Sequence, residues 1–169
     1  CSSDLGVEVE GAWTPTEGLT FTASGAHLKA KYVYYPNGNC LYPRDTIPGC
    51  VQDRSDTPFD APAWTGSLRA DYTRPITDSL NIVLGLGMNY QSQNFRYGNP
   101  RCTLAAYAKV DGRVGVEAAD GKWRATVRGR NLGDKGTWTG CPATPLRAGY
   151  YTFNSEPSRT IALEIGVKF

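Results

Sequence analysis

The sequence lacks any long hydrophobic run. No stretch approaches the roughly 18 consecutive apolar residues of a membrane-spanning helix, and the first residues do not resemble a signal peptide. No segment shows the 3.6-residue period of an amphipathic helix, so we predict no helix. The mean hydropathy of −0.40 would ordinarily argue against a membrane protein. That argument does not apply to membrane β-strands, which need apolar residues only at alternate positions.

Side chains suited to catalysis or metal binding are also scarce. His27 is the single histidine, and a lone imidazole supports neither a catalytic triad nor a metal site. The cysteines include no Cys-x₂-Cys pair, which argues against a zinc site. The cluster of Asp53, Asp56 and Asp60 lacks the glycine and final glutamate of a calcium loop, and "GRVGVE" (112–117) is not a phosphate loop. We predict no catalytic residue, no metal and no cofactor, and hence no enzyme.

Charge and cysteine content set further bounds. The net charge of +2 at pH 7 indicates no nucleic-acid partner. The five cysteines indicate an oxidising compartment, and their odd number leaves one without a partner inside the chain. With 169 residues, the chain is long enough to bury one core of ordinary size.

The sequence does contain a regular alternation of apolar and polar residues. In the last segment, Ile161, Leu163, Ile165, Val167 and Phe169 have one parity and polar or small residues have the other. Successive side chains of a strand point to opposite faces, so the segment has one apolar and one polar face. Six further segments alternate in the same way, beginning at residues 6, 19, 64, 80, 108 and 122. The sequence therefore predicts an all-β chain of seven antiparallel strands, near or above the length that crosses a bilayer.

The connections between these segments alternate in length. "TPTEG", "PITDS" and "ADGK" have the composition of hairpin turns, whereas the loops 37–61, 96–103 and 139–156 are long. Short turns on one side and long loops on the other are typical of an outer-membrane barrel. A change of phase near Gly25 and Ala26 predicts a β-bulge in the second strand.

The polar parity carries most of the charged residues. They are Glu8, Glu10, Arg69, Asp71, Lys109, Asp111, Arg113, Glu117, Arg124, Arg128, Arg130, Glu164 and Lys168. If the apolar face contacts lipid, these side chains face the lumen of a wide barrel, where polar groups belong. A soluble β-sandwich explains the alternation equally well. It does not explain the aromatic residues Trp13, Trp123 and Phe169 at the short-turn ends, where an interfacial girdle would lie, so we favour lipid.

Seven strands would leave two unpaired edges in hydrocarbon, where unsatisfied backbone groups are costly. We therefore expect a part of a larger transmembrane barrel, completed by the same gene product or by another polypeptide. The first and last strands should not pair with each other.

Four fragments, in order, resemble the C-terminal end of TonB-dependent receptors, which are active transporters of the outer membrane. They are "SDLGVEVEGAWTPTEGLTFTASGAHLKAKY", "FDAPAWTGSLRADY", "RGRNLGDKGTW" and "EPSRTIALEIGVKF". The resemblance covers nearly the whole chain. It implies that residues 1–169 are the last seven strands of a barrel of about 22 strands, without the plug domain, the TonB-contacting segment or the earlier strands.

The resemblance also implies location, partners and function. It places the chain in the bacterial outer membrane, with lipid, the remaining barrel and the plug as neighbours, and the TonB complex reached through the N-terminal part. The function it implies is import of a scarce small-molecule nutrient, most commonly a ferric siderophore. Phe169 would be the terminal aromatic residue that the assembly machinery recognises.

The charged face and the long loops divide the expected roles. We expect the lumen charges to pair with one another or with the plug rather than with substrate. Aromatic residues of the loops suit a wet binding surface, although an outer aromatic girdle would also use some of them. The predicted ligand contacts are Tyr34, Tyr35, Tyr42, Tyr97, Trp138, Tyr150 and Tyr151, with Tyr32, Phe95 and Phe153 in the same group.

Two disulfides are expected on the long-loop side. Cys40 should pair with Cys50 within one loop, and Cys102 with Cys141 between two loops that flank neighbouring strands. Cys1 is then available for a bond to a cysteine of the missing portion.

Two alternatives belong to other classes. The chain could be a self-contained β-sandwich binding protein, anchored at a surface by lipidation of Cys1, because "CSSD" resembles the start of a mature lipoprotein. It could also be a small outer-membrane barrel enzyme, but the sequence offers no serine, histidine and acid set for one.

Overall fold

The alternating segments form long strands in the computed structural model, which describes residues 2–40, 43–95, 100–142, 144, 147 and 150–168. In chain order the strands are β1 (Ser2–Thr16), β2 (Leu19–Tyr32), β3 (Gly38–Asn39), β4 (Val51–Gln52), β5 (Trp64–Thr77), β6 (Leu80–Gln91), β7 (Asn94–Phe95), β8 (Thr103–Leu104), β9 (Tyr107–Ala118), β10 (Trp123–Arg130) and β11 (Thr160–Val167). Within these ranges the helical structure consists of two single 3₁₀ turns, Arg44–Thr46 and Pro100–Cys102.

Seven of the strands make one sheet, in the order β1-β2-β5-β6-β9-β10-β11. Every neighbouring pair is antiparallel, which confirms the predicted strands and their direction. The three short turns cover residues 17–18, 78–79 and 119–122. Gly18 has a φ of 79° and Gly121 a φ of 70°, a left-handed conformation that glycine adopts without strain. Among the described residues, we find no helix that could span a membrane.

The two edges of the sheet do not meet. β1 and β11 lie at opposite ends of the strand order, so the described strands do not close into a barrel. The expectation that the first and last strands would not pair is confirmed. Each outer edge therefore presents backbone N–H and C=O groups that no strand of the described chain satisfies.

One face of the sheet is apolar and uncovered. Side chains on its central strands remain accessible: Leu86 of β6 is 57% exposed and Val114 of β9 is 52% exposed. Val127 and Leu163, further along the same face, are exposed as well. No second layer of the described residues covers this face, although a soluble sandwich would need one.

The predicted bulge at Gly25 and Ala26 is wrong. β2 pairs without interruption with β1 on one side and with β5 on the other through these residues. The alternation of apolar and polar residues changes phase along β2 because its last residues have different neighbours from its first residues. Tyr32 has the parity of the polar face. The centroid of its ring lies 5.1 Å from that of Tyr35 and 5.2 Å from that of Phe59. The long loop covers the polar face at this end, so apolar residues there are shielded while the backbone stays regular.

Candidate functional site

The polar face holds a cleft of about 510 Å³ at the middle of the sheet. It is formed by side chains of β2, β5, β6, β9 and β10, among them Thr22, Ser67, Arg69, Asp71, Asn89, Asp111, Arg113, Arg128 and Arg130. Six of these nine residues, the four arginines and the two aspartates, belong to the charged set that the sequence assigns to the lumen. The alternation therefore brings these charges together on one surface.

Asp71 pairs with two arginines in this cleft. Its carboxylate accepts from Arg69 Nε at 2.5 Å and from Arg113 Nη2 at 2.8 Å. Arg113 comes from β9, two strands away, so the contact crosses β6 beside Gly85. A Cβ at Gly85 would lie 2.8 Å from the Arg113 side chain. A residue larger than glycine at position 85 would therefore displace the arginine from Asp71.

The predicted pairing of the β10 arginines is realised for one of three. Arg128 Nε lies 3.2 Å from Glu164 Oε1 on β11. Arg124 stands directly opposite Glu117 in the ladder, yet the two form no ion pair. Arg130 also forms none with the described residues. Glu8 and Glu10 on β1 are exposed, and no described cation pairs with them. The polar face thus keeps charged groups available to a further partner.

A half-buried ion pair connects the loop 131–159 to the sheet. Lys109 Nζ lies 2.5 Å from Glu156 Oε2, and Thr137 donates its hydroxyl to the same oxygen. Glu156 also donates its backbone N–H to the Thr137 carbonyl at 2.9 Å. Lys109, predicted to face the lumen, therefore has a structural partner in the outer loop.

The "RNLGD" sequence makes the turn that leaves β10. Asn131 and Asp134 both have a φ of 49°, a conformation that short polar residues tolerate. Asn131 exchanges two hydrogen bonds with the Lys135 backbone, at 3.0 and 2.9 Å, and its own N–H is bonded to Asp111 at 2.8 Å. Asp134 accepts from the Arg159 N–H at 2.8 Å. This motif is explained by backbone geometry.

Both expected disulfides are present in the structure. Cys40 and Cys50, 10 residues apart, close the tip of the loop 33–63, with their Cα atoms 5.6 Å apart. Cys102 and Cys141, 39 residues apart, join the loops 92–106 and 131–159, with Cα atoms 5.9 Å apart. Cys1 lies outside the described residues, as do Tyr42, Tyr97 and Phe169.

The remaining loop aromatics fall into different environments. Tyr34 and Tyr150 are 67% and 63% exposed, as a ligand-contacting surface requires. Trp138 is half-buried, and its ring meets Phe153 edge-on at 5.1 Å. Tyr151 is half-buried and donates its hydroxyl to Asp45 in the loop 33–63. The structure thus divides the predicted contacts into exposed and packed residues.

The most enclosed cation of the described loops is Arg54, which sequence reasoning did not single out. It is 8% exposed, and its guanidinium carbon lies 5.4 and 5.7 Å from the ring centres of Tyr32 and Tyr35. Asp45 and Glu156 were missed as well. All three lie in loops without periodicity, where residue type alone does not identify a contact.

The His27 ring packs on Trp64 with centroids 4.3 Å apart, a contact across the β2–β5 pair. Among the described residues, no three His, Cys, Asp or Glu side chains come together as metal ligands.

Two solved structures share this arrangement. The ferric yersiniabactin uptake receptor FyuA from Yersinia pestis matches 99% of this chain with a TM-score of 0.77 and 15% identity. The siderophore receptor PiuA from Acinetobacter baumannii matches 99% with a TM-score of 0.73 and 15% identity. The chain spans 24% and 22% of those two chains. No protein-family model and no curated protein matches it. The chain therefore has the fold of a segment of these receptor structures, which confirms at the level of fold the predicted resemblance to TonB-dependent receptors.

Proposed function

We propose that the chain supplies the C-terminal strands of a TonB-dependent receptor barrel in the bacterial outer membrane. The observation that carries this proposal is the single-layer sheet, with one uncovered apolar face, one charged face and two open edges. In water such a sheet would expose a large apolar surface. In a bilayer the apolar face has lipid as its partner, and the remaining strands of a barrel of about 22 satisfy the edges.

The strands β1, β2, β5, β6 and β9, with 12 to 15 residues each, are long enough for a membrane span. β2 has 14 residues, which at about 3.3 Å each is roughly 46 Å, or roughly 35 Å along the membrane normal at a tilt of about 40°. The apolar band of such barrels is about 25 Å tall, so the strand projects beyond it. This explains why Lys29 and Lys31 follow the apolar parity at the long-loop end: Lys29 is exposed, and Lys31 pairs with Asp56 at 2.5 Å.

In this barrel the charged face and the outer loops have separate roles. The charged face lines the lumen and contacts the plug domain, and Glu8, Glu10, Arg124 and Arg130 are available for that contact. The outer loops receive a small-molecule nutrient, for which a ferric siderophore is the best candidate because one structural neighbour is named a ferric yersiniabactin uptake receptor and the other a siderophore receptor. The ligand-contacting residues are drawn from Tyr34, Tyr35, Tyr42, Tyr97, Trp138, Tyr150 and Tyr151. Energy reaches the receptor through the TonB complex at the N-terminal part of the full protein.

Growth and binding assays with the full-length receptor test this proposal. A deletion strain should lose growth on a particular ferric siderophore as the sole iron source, and the full-length gene should restore it. The purified receptor should bind the same complex in detergent. Growth that is unchanged on every iron source, together with a soluble monomer formed by residues 1–169 without detergent, would exclude the transporter.

A further inference from the structure

Arg54 is a buried cation, and no carboxylate of the described residues forms an ion pair with it. Of its guanidinium nitrogens, Nε is fully enclosed and has no hydrogen-bond partner. Nη1 and Nη2 make no hydrogen bond with a described residue either, but these two atoms are more accessible than Nε. Burying a charge is costly unless it is paired. The two tyrosine faces supply part of that compensation through cation–π attraction.

The nearby acids have other partners. Asp53 accepts a hydrogen bond from the Ser55 N–H at 2.8 Å, and Asp56 pairs with Lys31 at 2.5 Å. Both flank Arg54 in the sequence, yet neither forms an ion pair with it. Among the described residues, the neighbouring acids therefore leave Arg54 without a carboxylate partner.

The backbone around Arg54 is firmly held. Its N–H donates to the Tyr35 carbonyl at 2.8 Å, and its carbonyl accepts from Thr57 Oγ1 at 2.6 Å. The Tyr35 N–H donates to Ser55 Oγ at 2.9 Å. The side-chain stem crosses Gly38, where a Cβ would come within 2.6 Å of Arg54 Cδ. The guanidinium is thus fixed in place before any ligand arrives, and such preorganisation lowers the entropic cost of binding.

Arg54 lies on the side of the sheet that the cleft occupies. Tyr32, against which it stacks, has the same parity as Thr22, which lines the polar cleft. The guanidinium is therefore placed at the long-loop end of the polar face. A molecule that enters from the loops toward the cleft would pass this group.

We propose that Arg54, held over the adjoining rings of Tyr32 and Tyr35, is an anion-binding residue that selects ligands carrying carboxylate, catecholate or similar anionic oxygens. This proposal rests on the proposed function, because it assigns a charge class to the ligand of the same loops. A guanidinium offers parallel N–H donors to such oxygens, and charge-assisted bonds of this kind are among the strongest available. The flanking tyrosine rings suit the aromatic part of a catecholate.

The test uses the full-length receptor in detergent and three probes at constant ionic strength. The first is the trianionic ferric complex of a synthetic tripodal tris-catecholate. The second is the neutral ferric complex of the matching tris-hydroxamate, and the third is iron-free citrate. Arg54→Met keeps the stem that packs on Gly38 but removes the charge, whereas Arg54→Lys keeps the charge without the planar fork. Peptide mapping of the Cys40–Cys50 bond checks that the loop has folded in each variant.

We expect the wild type to bind the tris-catecholate and citrate more tightly than the neutral complex. Arg54→Met should weaken the binding of both anions about ten- to 100-fold and leave the affinity for the neutral complex unchanged. Arg54→Lys should have affinities for the anions between those of Arg54→Met and the wild type. Equal affinity of Arg54→Met and wild type for both anions would overturn the proposal, as would a wild-type preference for the neutral complex.

The two proposals can fail separately. Arg54-dependent binding of citrate without binding of either iron complex would support the anion site and count against iron uptake. Binding of the neutral ferric complex, with no effect of Arg54→Met on the anions, would support iron uptake and overturn the anion site.

Discussion

Tyr151 donates its hydroxyl to Asp45 Oδ2, although the two residues are 106 positions apart in the sequence. The loop that carries Asp45 joins β2 to β5 and the loop that carries Tyr151 joins β10 to β11, and β6 and β9 lie between these two pairs in the sheet. Because the loop 131–159 is also bonded to the loop 92–106 through Cys102 and Cys141, the three long loops form one connected layer. Within this layer, the Tyr151–Asp45 hydrogen bond joins the loop 33–63 to the loop 131–159 without a covalent bond.

Tyr151→Phe should loosen the loop 33–63 without affecting the sheet. Losing one hydrogen bond of about 1–1.5 kcal/mol should raise the hydrogen exchange of residues 43–50 about five- to tenfold. Tyr150→Phe is the matched control, because this neighbouring ring is exposed and makes no hydrogen bond to Asp45. Equal exchange in the two variants would show that the Asp45 contact does not hold the loop.

Arginine should be tolerated on one face of β2 and rejected on the other. Ala23 lies on the apolar face and Ser24 next to it on the polar face, opposite Glu10. Ala23→Arg in the full-length protein should cost about 2–4 kcal/mol of unfolding free energy in lipid vesicles. Ser24→Arg should change it by less than about 0.5 kcal/mol. The reverse order, measured by urea titration, would place the apolar face away from lipid.

The two disulfides should differ in both accessibility and contribution. Cys102 and Cys141 are 0% and 2% exposed, whereas Cys50 is half-buried, so graded reductant should open Cys40–Cys50 first. The chain-entropy model gives about 3 kcal/mol for the shorter loop and about 4 kcal/mol for the longer one. Double serine variants, followed by thermal unfolding, measure these contributions. Simultaneous alkylation of all four thiols would contradict the predicted order.

The turn that holds Arg54 should resist mild acid. The pKa of the Asp53 carboxyl lies below its usual value because Ser55 donates to it from its side chain and its backbone. A lowered folded pKa gives stability that is complete above the unfolded pKa of roughly 3.9 and is lost as pH falls through the folded value. The contact should therefore persist at pH 5. Carbon NMR of labelled Asp53 should show the low midpoint in the wild type and a higher one in Ser55→Ala; an unchanged midpoint would contradict this origin.

The sheet could be predicted from the sequence because its faces have different surroundings. Residues such as Ile161 and Leu163 alternate with polar ones, and this period of two fixes both the strand and the face. The false bulge in β2 shows the limit of that inference. There the surroundings change along the strand, as the loop comes to cover Tyr32, and the pattern changes while the backbone does not.

The loop contacts could not be predicted in the same way. Arg54 is held by residues on both sides of a disulfide-closed excursion, and Asp45 meets a residue of a different hairpin. Such contacts depend on how the loops bend in space, and no period in the sequence records that. The pairing of the cysteines was easier to predict from the sequence, because a covalent bond restricts which loops can be neighbours.

The uncovered apolar face has a thermodynamic consequence. In a water-soluble domain, unfolding transfers core side chains to water and raises the heat capacity by about 12–15 cal/mol/K per residue. Here Leu86, Val114 and their neighbours are already in contact with the surrounding medium while folded. Separation of the strands in detergent then changes the environment of these side chains little. The heat-capacity increment per residue should be small, and the free energy of unfolding should vary almost linearly with temperature.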